Sequence, residues 1–250
     1  MAERVEPVRG EDGDDGSVAA PERRRSRLPG WASVLLNVVV AIAVVAVVQA
    51  LWVKVYSVPS GSMEQTLEVG DRMLVNRTAY PDGMAASQDV VVFNANEDWA
   101  QPLPPEGPVE NAVRTFGDIT GIGRSHDQAL VKRVVGTAGQ TVECCTSEGR
   151  VTVDGQPLDE PYLHNDLPFA PGRLDCESDV MSARCFGPVT VPEDSMLVLG
   201  DHRSNSADSV IACRGIPADQ AGDCARFVTR EDIVGEVFVT VWPPTHWGGH

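Results

Sequence analysis

Lysine is almost absent from this sequence. Of its 20 Lys and Arg residues, only Lys54 and Lys132 are lysine. Arginine stays charged in proteins, whereas a buried lysine can be neutral near physiological pH. Lys54 follows a long apolar run and has a simple role at a membrane edge. Lys132 interrupts an apolar stretch, and its presence there needs a separate explanation.

Positive charge as a whole is also scarce: the 20 Lys and Arg residues are outnumbered by 36 Asp and Glu, which gives a net charge of −16. Such an acidic chain is not expected to bind nucleic acid. Metal-binding signatures are missing as well: there is no C-x-x-C pair, and the five histidines are scattered. We therefore expect no metal and no cofactor, and zinc is the less favoured explanation of the cysteines.

The six cysteines all follow the apolar run. An even number confined to one side of a membrane predicts disulfides in an oxidising compartment. Short separations favour the pairs Cys176–Cys185 and Cys213–Cys224, although the sequence leaves the connectivity open.

Long helical patterns are lacking except in one apolar run, residues 31–53. At about 1.5 Å per residue this run can cross a hydrocarbon core of about 30 Å. Residues 1–30 have the composition of a disordered tail, and its arginine cluster predicts a cytoplasmic N-terminus. The run is too long for the apolar core of a cleaved signal peptide, about 7–15 residues. A weak cleavage site at Val48-Gln49-Ala50 leaves self-trimming open.

From residue 54 onward the pattern is typical of β structure. Short Val-rich runs bounded by turn signals predict strands. These runs are 73–76, 89–93, 130–135, 141–144, 151–154, 195–199 and 235–242. Asp154-Gly155 predicts a hairpin turn. Residues 94–129 are otherwise a long insertion, within which 109–122 has a weak amphipathic helix pattern.

A serine-rich turn, Pro59-Ser60-Gly61-Ser62-Met63, follows the apolar run. Pro59 and Gly61 favour an extended entry and a sharp turn, which would expose the hydroxyl of Ser62 as a nucleophile. Ser60 would lie close enough to donate a hydrogen bond to an oxyanion. The alternative is an ordinary serine-rich turn.

A nucleophilic serine needs a base, and Lys132 is the candidate. With a period of two, Lys132 shares a strand face with Leu130 and Val134. Desolvation on that face would lower the pKa of the amine towards that of a usable base. The alternative is a lysine that extends outward to solvent from a strand end. A dense polar loop at 200–209 could be an ordinary turn, or it could hold the lysine in position.

Taken in order, these segments resemble type I signal peptidase, the membrane-bound Ser/Lys protease that removes signal peptides from exported proteins. The matching motifs are the anchor, P-S-G-S-M from Pro59, G-D-R from Gly70, K-R-V-V-G from Lys132 and G-D-x-R-x-N-S-x-D-S from Gly200. Each motif is weak by itself, but the ordered set is highly specific.

The resemblance implies a role for each matching residue. Ser62 would be the nucleophile and Lys132 the general base, with Ser60 Oγ and the Ser62 N–H as the oxyanion hole. Ser206 would hydrogen-bond and orient the Lys132 amine. Asp201 would pair with Arg133, and Asp208 would brace the polar loop. The apolar wall that accepts small substrate side chains would consist of Tyr56, Val58, Met63, Leu67, Met73 and Val131.

The resemblance also implies the architecture and the setting. We expect a mostly β fold: a single N-terminal transmembrane helix (31–53) precedes an extracytoplasmic domain (54–250) of coiled antiparallel β-sheets. A smaller inserted β region would span about 141–194. The implied enzyme is a monomeric single-pass protein of the plasma membrane, and its partners are the lipid bilayer and signal-peptide-bearing preproteins. It would cleave after small-x-small sites such as Ala-x-Ala.

Two positions depart from the family pattern. Gln65 stands where the family has proline, and Val210 stands where it has the arginine that pairs with the aspartate at 208. Arg214, four residues on, is one candidate to replace that arginine, and a Cys213–Cys224 disulfide in the same loop is a candidate to replace the lost ion pair.

Three other functions stay open at this point. A self-cleaving Ser/Lys repressor-type protease shares the dyad, but it would be soluble and joined to a DNA-binding domain. A membrane-anchored peptide-binding domain with a decayed site predicts loss of Ser62 or Lys132, and both are present. A peptidase dedicated to one substrate would have the same residues.

Overall fold

The computed structural model describes residues 29–81, 83–100, 107–120, 126 and 128–250. The described residues fall into two units, which divide between Val40 and Ala41. Helix α1 (Gly30–Leu51) begins in the first unit and ends in the second. The predicted tail, with its arginine cluster, lies outside the described residues except for residues 29 and 30.

Helix α1 is apolar on every side. An 18-residue window of this 22-residue helix has a mean hydropathy of 2.8, and the helix includes no charged side chain. By length and composition α1 can cross a membrane, since 22 residues extend about 33 Å. The helix ends at Leu51 and strand β1 starts at Val53, so the predicted span 31–53 extends two residues beyond the helix.

The fold after α1 is mostly β, as predicted. The strands are β1 (Val53–Ser57), β2 (Arg72–Asn76), β3 (Val90–Asn94), β4 (Ala129–Thr137), β5 (Thr141–Cys144), β6 (Val151–Val153), β7 (Gln156–Pro157), β8 (Phe186–Thr190), β9 (Ser195–Leu199), β10 (Val228–Thr229), β11 (Ile233–Trp242) and β12 (Gly248–Gly249). Helix α2 (Pro108–Thr120) lies in the insertion between β3 and β4, where the weak helical pattern predicted one. Every predicted run forms a strand. Strands β1, β7, β8, β10 and β12 were not among the predicted runs, and each spans five residues or fewer.

Antiparallel pairing builds two sheets. The main sheet has the order β1-β2-β11-β3-β4-β9-β10, and β12 adds to β11. The smaller sheet has the order β7-β6-β5-β8, and its strands lie between Thr141 and Thr190. Asp154 and Gly155 both adopt positive φ between β6 and β7, which the two-residue hairpin turn requires.

The centre of the main sheet is covered on both faces. On β3, Val90 and Val92 pack in one apolar cluster, whereas Val91 and Phe93 pack in another. On the neighbouring β4, Val131 joins the first cluster and Val134 the second. A residue in the middle of β4 is therefore removed from water whichever face it occupies.

Candidate active site

The serine-rich turn lies in the connection between β1 and β2. Backbone hydrogen bonds between Val58 and both Gly70 and Asp71, 2.9–3.0 Å long, close the base of this connection. Gly61–Met63 forms a single 3-10 turn at its start. A Cβ at Gly61 would come within 2.2 Å of the Glu64 carboxylate, so a larger residue there would displace the Glu64 side chain. Ser62 is only 4% exposed, so the prediction of an exposed serine is wrong. Its carbonyl oxygen accepts a 3.1 Å hydrogen bond from the His202 N–H.

Lys132 lies beside Ser62 in the described structure. Its Nζ donates a 2.7 Å hydrogen bond to Ser62 Oγ and a 3.0 Å hydrogen bond to the carbonyl oxygen of Val131. The residue is 4% exposed. Burial lowers the pKa of Lys132 to about 8; Arg226 also lowers it, whereas Asp208 and Asp201 raise it. A lysine with this pKa is partly neutral near pH 7–8, so it can accept a proton there.

Ser60 precedes the 3-10 turn in an extended conformation, with φ −143° and ψ 159°. Its side chain is exposed and makes no capping hydrogen bond to the turn. The hydroxyl is therefore available to a group outside the turn, as a donor to an oxyanion must be.

Ser206 does not make the predicted hydrogen bond to Lys132. Its hydroxyl is buried and has no hydrogen-bond partner among the described residues. The main-chain carbonyl of Val131 occupies the role expected of Ser206, because it accepts a hydrogen bond from the lysine amine. Gly200 lies against both the Ser206 hydroxyl and the Ser62 carbonyl, so it brings the polar loop close to the serine turn.

Asp201 and Arg133 form the ion pair that the sequence predicts. Arg133 Nε and Nη2 donate to the two carboxylate oxygens at 2.9 and 2.7 Å, and Asp201 is fully buried. The Thr66 hydroxyl donates to the same carboxylate, and the guanidinium stacks on the ring of Tyr162. The pair joins β4, the serine connection and the polar loop, so it supports the site without forming part of the reacting centre.

Asp208 is also fully buried, and Arg214 is its partner. Arg214 Nη2 lies 3.1 Å from the Asp208 carboxylate, and the arginine is itself 6% exposed. Val210 is fully buried in an apolar cluster that includes Cys213. The expected replacement of the missing arginine by Arg214 is therefore present.

The cysteines pair as the short separations predict. Disulfides join Cys176 to Cys185 and Cys213 to Cys224, and the remaining Cys144 and Cys145 are joined to each other. The Cys213–Cys224 bond closes the loop that carries Arg214, which limits its freedom beside Asp208.

A cavity of about 360 Å³ lies next to the dyad, between β1 and β4. Its lining includes 54–57 of β1, Pro59 and 128–131 at the start of β4. Strand β1 is at the edge of the main sheet, so one side of its backbone has no neighbouring strand in the described structure. An edge strand beside a cavity can pair with an extended peptide.

The six residues of the predicted apolar wall divide into two groups. All six belong to one apolar cluster. Tyr56, Met73 and Val131 line the cavity. Val58, Met63 and Leu67 are at most 1% exposed and lie outside the lining, which makes them the packing beneath the site rather than its surface.

Sequence reasoning gave no role to five polar residues that meet near the turn. Glu64, His164 and His202 form one group, and Arg203 pairs with Glu160. His202 and Arg203 lie in the polar-loop motif at 200–209, so that motif was a sequence signal that could have identified them. No sequence signal pointed to Glu64 or His164, because their partners are distant in sequence.

Comparison with known proteins gives a consistent result. The family model described as "Signal peptidase, peptidase S26" matches residues 31–242. A "Probable signal peptidase I" of Mycobacterium leprae is 34% identical over 245 residues, which cover 91% of this chain and 80% of that protein. A "Signal peptidase I" of Mycobacterium tuberculosis is 31% identical, with coverage of 95% and 81%. The "Signal peptidase I" of Leptolyngbya laminosa is 29% identical, with coverage of 93% and 88%.

Proposed function

This chain belongs to the signal peptidase family, peptidase S26, and from that premise we propose that it cleaves signal peptides from exported preproteins with a Ser62–Lys132 dyad. The single observation that carries the proposal is the buried 2.7 Å contact between Lys132 Nζ and Ser62 Oγ. Family members are hydrolases, and this pair supplies a nucleophile and a base to a hydrolase.

Proton transfer begins the reaction. When the Lys132 amine is neutral, the same 2.7 Å contact lets the Ser62 hydroxyl donate its proton to the nitrogen lone pair. The deprotonating oxygen attacks the carbonyl carbon at the end of the signal peptide. The Val131 carbonyl, at 3.0 Å from Nζ, supports the orientation of the amine.

The tetrahedral intermediate needs donors for its negative oxygen. The backbone N–H of Ser62 and the hydroxyl of Ser60 are the proposed oxyanion hole. The extended conformation of Ser60 and the lack of a capping bond to its side chain support this role.

Release of the new N-terminus of the mature protein completes the first half of the reaction. The protonated Lys132 gives its proton to the leaving amine, and an acyl-enzyme on Ser62 results. Lys132 then accepts a proton from the water that attacks the ester, and it passes this proton to Ser62 Oγ as the C–Oγ bond breaks. The signal peptide leaves as a carboxylic acid, which loses its proton to solvent, and Ser62 and neutral Lys132 are restored.

The substrate would bind as an extra strand beside β1. Backbone pairing to an edge strand gives affinity for any sequence, and pockets for alternate side chains give specificity. The cavity walls formed by Tyr56, Met73 and Val131 are apolar. We infer a preference for small residues at the −1 and −3 positions, of the Ala-x-Ala type, with Val58, Met63 and Leu67 as packing support.

The membrane setting follows from the apolar helix. The family is membrane-anchored, and α1 is compatible with one crossing. We infer that the N-terminus is cytoplasmic and that residues 54–250 lie outside the cytoplasm, where the cleavage sites of exported proteins emerge. Three disulfides in this part of the chain support an oxidising compartment. The active unit is proposed to be a monomer.

Cleavage of a panel of preproteins tests the proposal. The full chain, purified in detergent, should cut general precursors after Ala-x-Ala and release mature proteins with the expected N-terminus. Ser62→Ala and Lys132→Met should each abolish cleavage. A wild-type protein that cuts one precursor alone would be a dedicated peptidase. One that binds precursors without cutting any would contradict the proposal.

A further inference from the structure

Two histidines and a glutamate from distant parts of the sequence meet beside the serine turn. Glu64 Oε2 lies 2.6 Å from His202 Nδ1. The rings of His164 and His202 meet edge to face, with their centroids 5.0 Å apart. One potential ligand atom from each residue lies within 4.8 Å of the other two. The proposed cleavage mechanism uses none of these side chains.

The main chain fixes the two histidines relative to each other. His164 and His202 form an isolated parallel bridge. The His164 N–H donates to the Asp201 carbonyl at 2.9 Å, and the Arg203 N–H donates to the His164 carbonyl at 3.3 Å. Because the backbone holds both residues, the two rings stay together without depending on a contact between them. A metal site benefits from such preorganisation.

The donor set matches a borderline transition metal. Two imidazoles favour zinc, copper, iron or nickel over magnesium and calcium, and a His2Glu set is a known arrangement for zinc. Zinc binds these atoms at about 2.0–2.2 Å, so tetrahedral ligands lie about 3.3 Å apart. The Glu64–His202 contact is 2.6 Å, and no two of the three candidate ligand atoms are more than 4.8 Å apart, so one ion could contact all three after side-chain rotation.

We propose that Glu64, His164 and His202 bind a divalent transition metal, with zinc the best match. The three ligands leave a fourth position for water. The net charge of −16 favours the approach of a cation. The histidines are scattered in sequence, which argued against zinc, yet the fold brings two of them together.

A bound ion would connect the serine turn to the polar loop. The Glu64 carboxylate lies against Gly61, and the His202 N–H holds the Ser62 carbonyl at 3.1 Å. An ion that binds the folded chain and not the unfolded chain stabilises the fold by mass action. The proposal that the site binds a metal does not depend on the proposed function. An effect of the bound ion on precursor cleavage does depend on it.

Zinc binding to the full chain in detergent tests the site. The protein is purified through a tag without histidine, stripped with a chelator, and titrated with Zn²⁺ by equilibrium dialysis and thermal unfolding. Loss of groups that merely support zinc ligands costs about 10–100-fold in affinity, so His164→Gln and Glu64→Gln should each cost at least about tenfold. The zinc-dependent rise in thermal midpoint should disappear in both variants. His126→Gln is the matched control, because His126 contacts Asp118 and Asn111 elsewhere in the chain.

The outcomes separate this inference from the proposed function. If the wild type binds no zinc, or if both variants bind it as the wild type does, the three residues are only a hydrogen-bonded brace and the inference is wrong. Precursor cleavage by the metal-free protein is measured in parallel. Cleavage without zinc binding would contradict the metal site alone, whereas zinc binding without cleavage would contradict the proposed function alone.

Discussion

Lys132 in the middle of β4 reaches Ser62 in the turn after β1, with its Nζ 2.7 Å from Ser62 Oγ across a sequence separation of 70 residues. Both residues are 4% exposed. The amine therefore interacts with the serine hydroxyl and the Val131 carbonyl in surroundings that disfavour its charged form.

Replacing Lys132 separates stability from activity. Burial lowers the pKa of Lys132 from 10.5 to about 8, so the unfolded chain binds more protons than the folded chain between these pH values. The resulting penalty to the stability of the folded chain, about 3 kcal/mol, is fully present below pH 8 and disappears as pH rises towards the unfolded pKa.

Lys132→Met should abolish cleavage and leave the free energy of unfolding at pH 7 unchanged or increased. Lys132→Arg should also be inactive, because a guanidinium cannot accept the proton. An arginine variant that cleaves precursors would exclude Lys132 as the base.

The rate of cleavage should depend on pH through the same group. The base acts only when neutral, so kcat/KM should rise as pH increases through about 8 and level off above it. Initial rates on one precursor between pH 6 and 10 measure this, with thermal unfolding at each pH as the control for folding. A profile that is flat across pH 7–9 would show that another group limits the reaction.

Ser60→Ala tests the oxyanion hole. The backbone donor at Ser62 remains in this variant, so cleavage should slow without stopping. Loss of one such donor costs about 10²–10³ in turnover. The serine is exposed and its side chain makes no capping bond, so stability should hardly change. A kcat within about threefold of wild type, under ~1 kcal/mol in the barrier, would make Ser60 only a turn residue.

Ser206→Ala tests a buried hydroxyl that has no partner among the described residues. Leaving a buried polar group unpaired costs about 1–3 kcal/mol, so its removal should keep or raise the thermal midpoint. If the hydroxyl positions Lys132 during the reaction, kcat should fall by about 10²-fold, as expected for misplacement of a reacting group. Thermal unfolding and kcat are measured on the same preparation. A destabilised variant with normal kcat would indicate a purely structural role.

Arg214→Met tests the substitute ion pair. Asp208 is fully buried and would lose its charged partner at 3.1 Å. Breaking such a pair from one side costs about 3–5 kcal/mol, because an uncompensated charge stays buried. Arg150→Met is the matched control: Arg150 is 43% exposed and lies 3.8 Å from Asp159, so its loss should cost less than about 1 kcal/mol. Chemical denaturation measures the free energy of unfolding of both variants. Equal losses would show that the buried Asp208–Arg214 pair stabilises the fold no more than an exposed pair does.

Much of the fold was predictable because its signals are local. Val-rich runs bounded by turn signals predicted β2, β3, β4, β5, β6, β9 and β11, and Asp154-Gly155 predicted its hairpin. The long apolar run predicted α1, apart from the end of the helix. The short strands β7, β10 and β12 span two residues each, too few for any periodicity to appear.

The candidate site, like the fold, was predictable only where its signals are local in sequence. The sequence by itself determined which residue types are present: a serine on a glycine turn, one lysine within an apolar strand, and a polar loop. It also determined the local separations that favoured two of the disulfides. These features depend on neighbours along the chain.

Only the tertiary structure decided which of these residues meet. In the sheet order β1-β2-β11-β3-β4, residues of β1 and β4 line one cavity, and Lys132 meets Ser62 beside it. The same folding leaves the Ser206 hydroxyl without its predicted partner and gathers Glu64, His164 and His202. Distances between residues far apart in sequence follow from strand order and packing, and spacing along the chain does not contain that information.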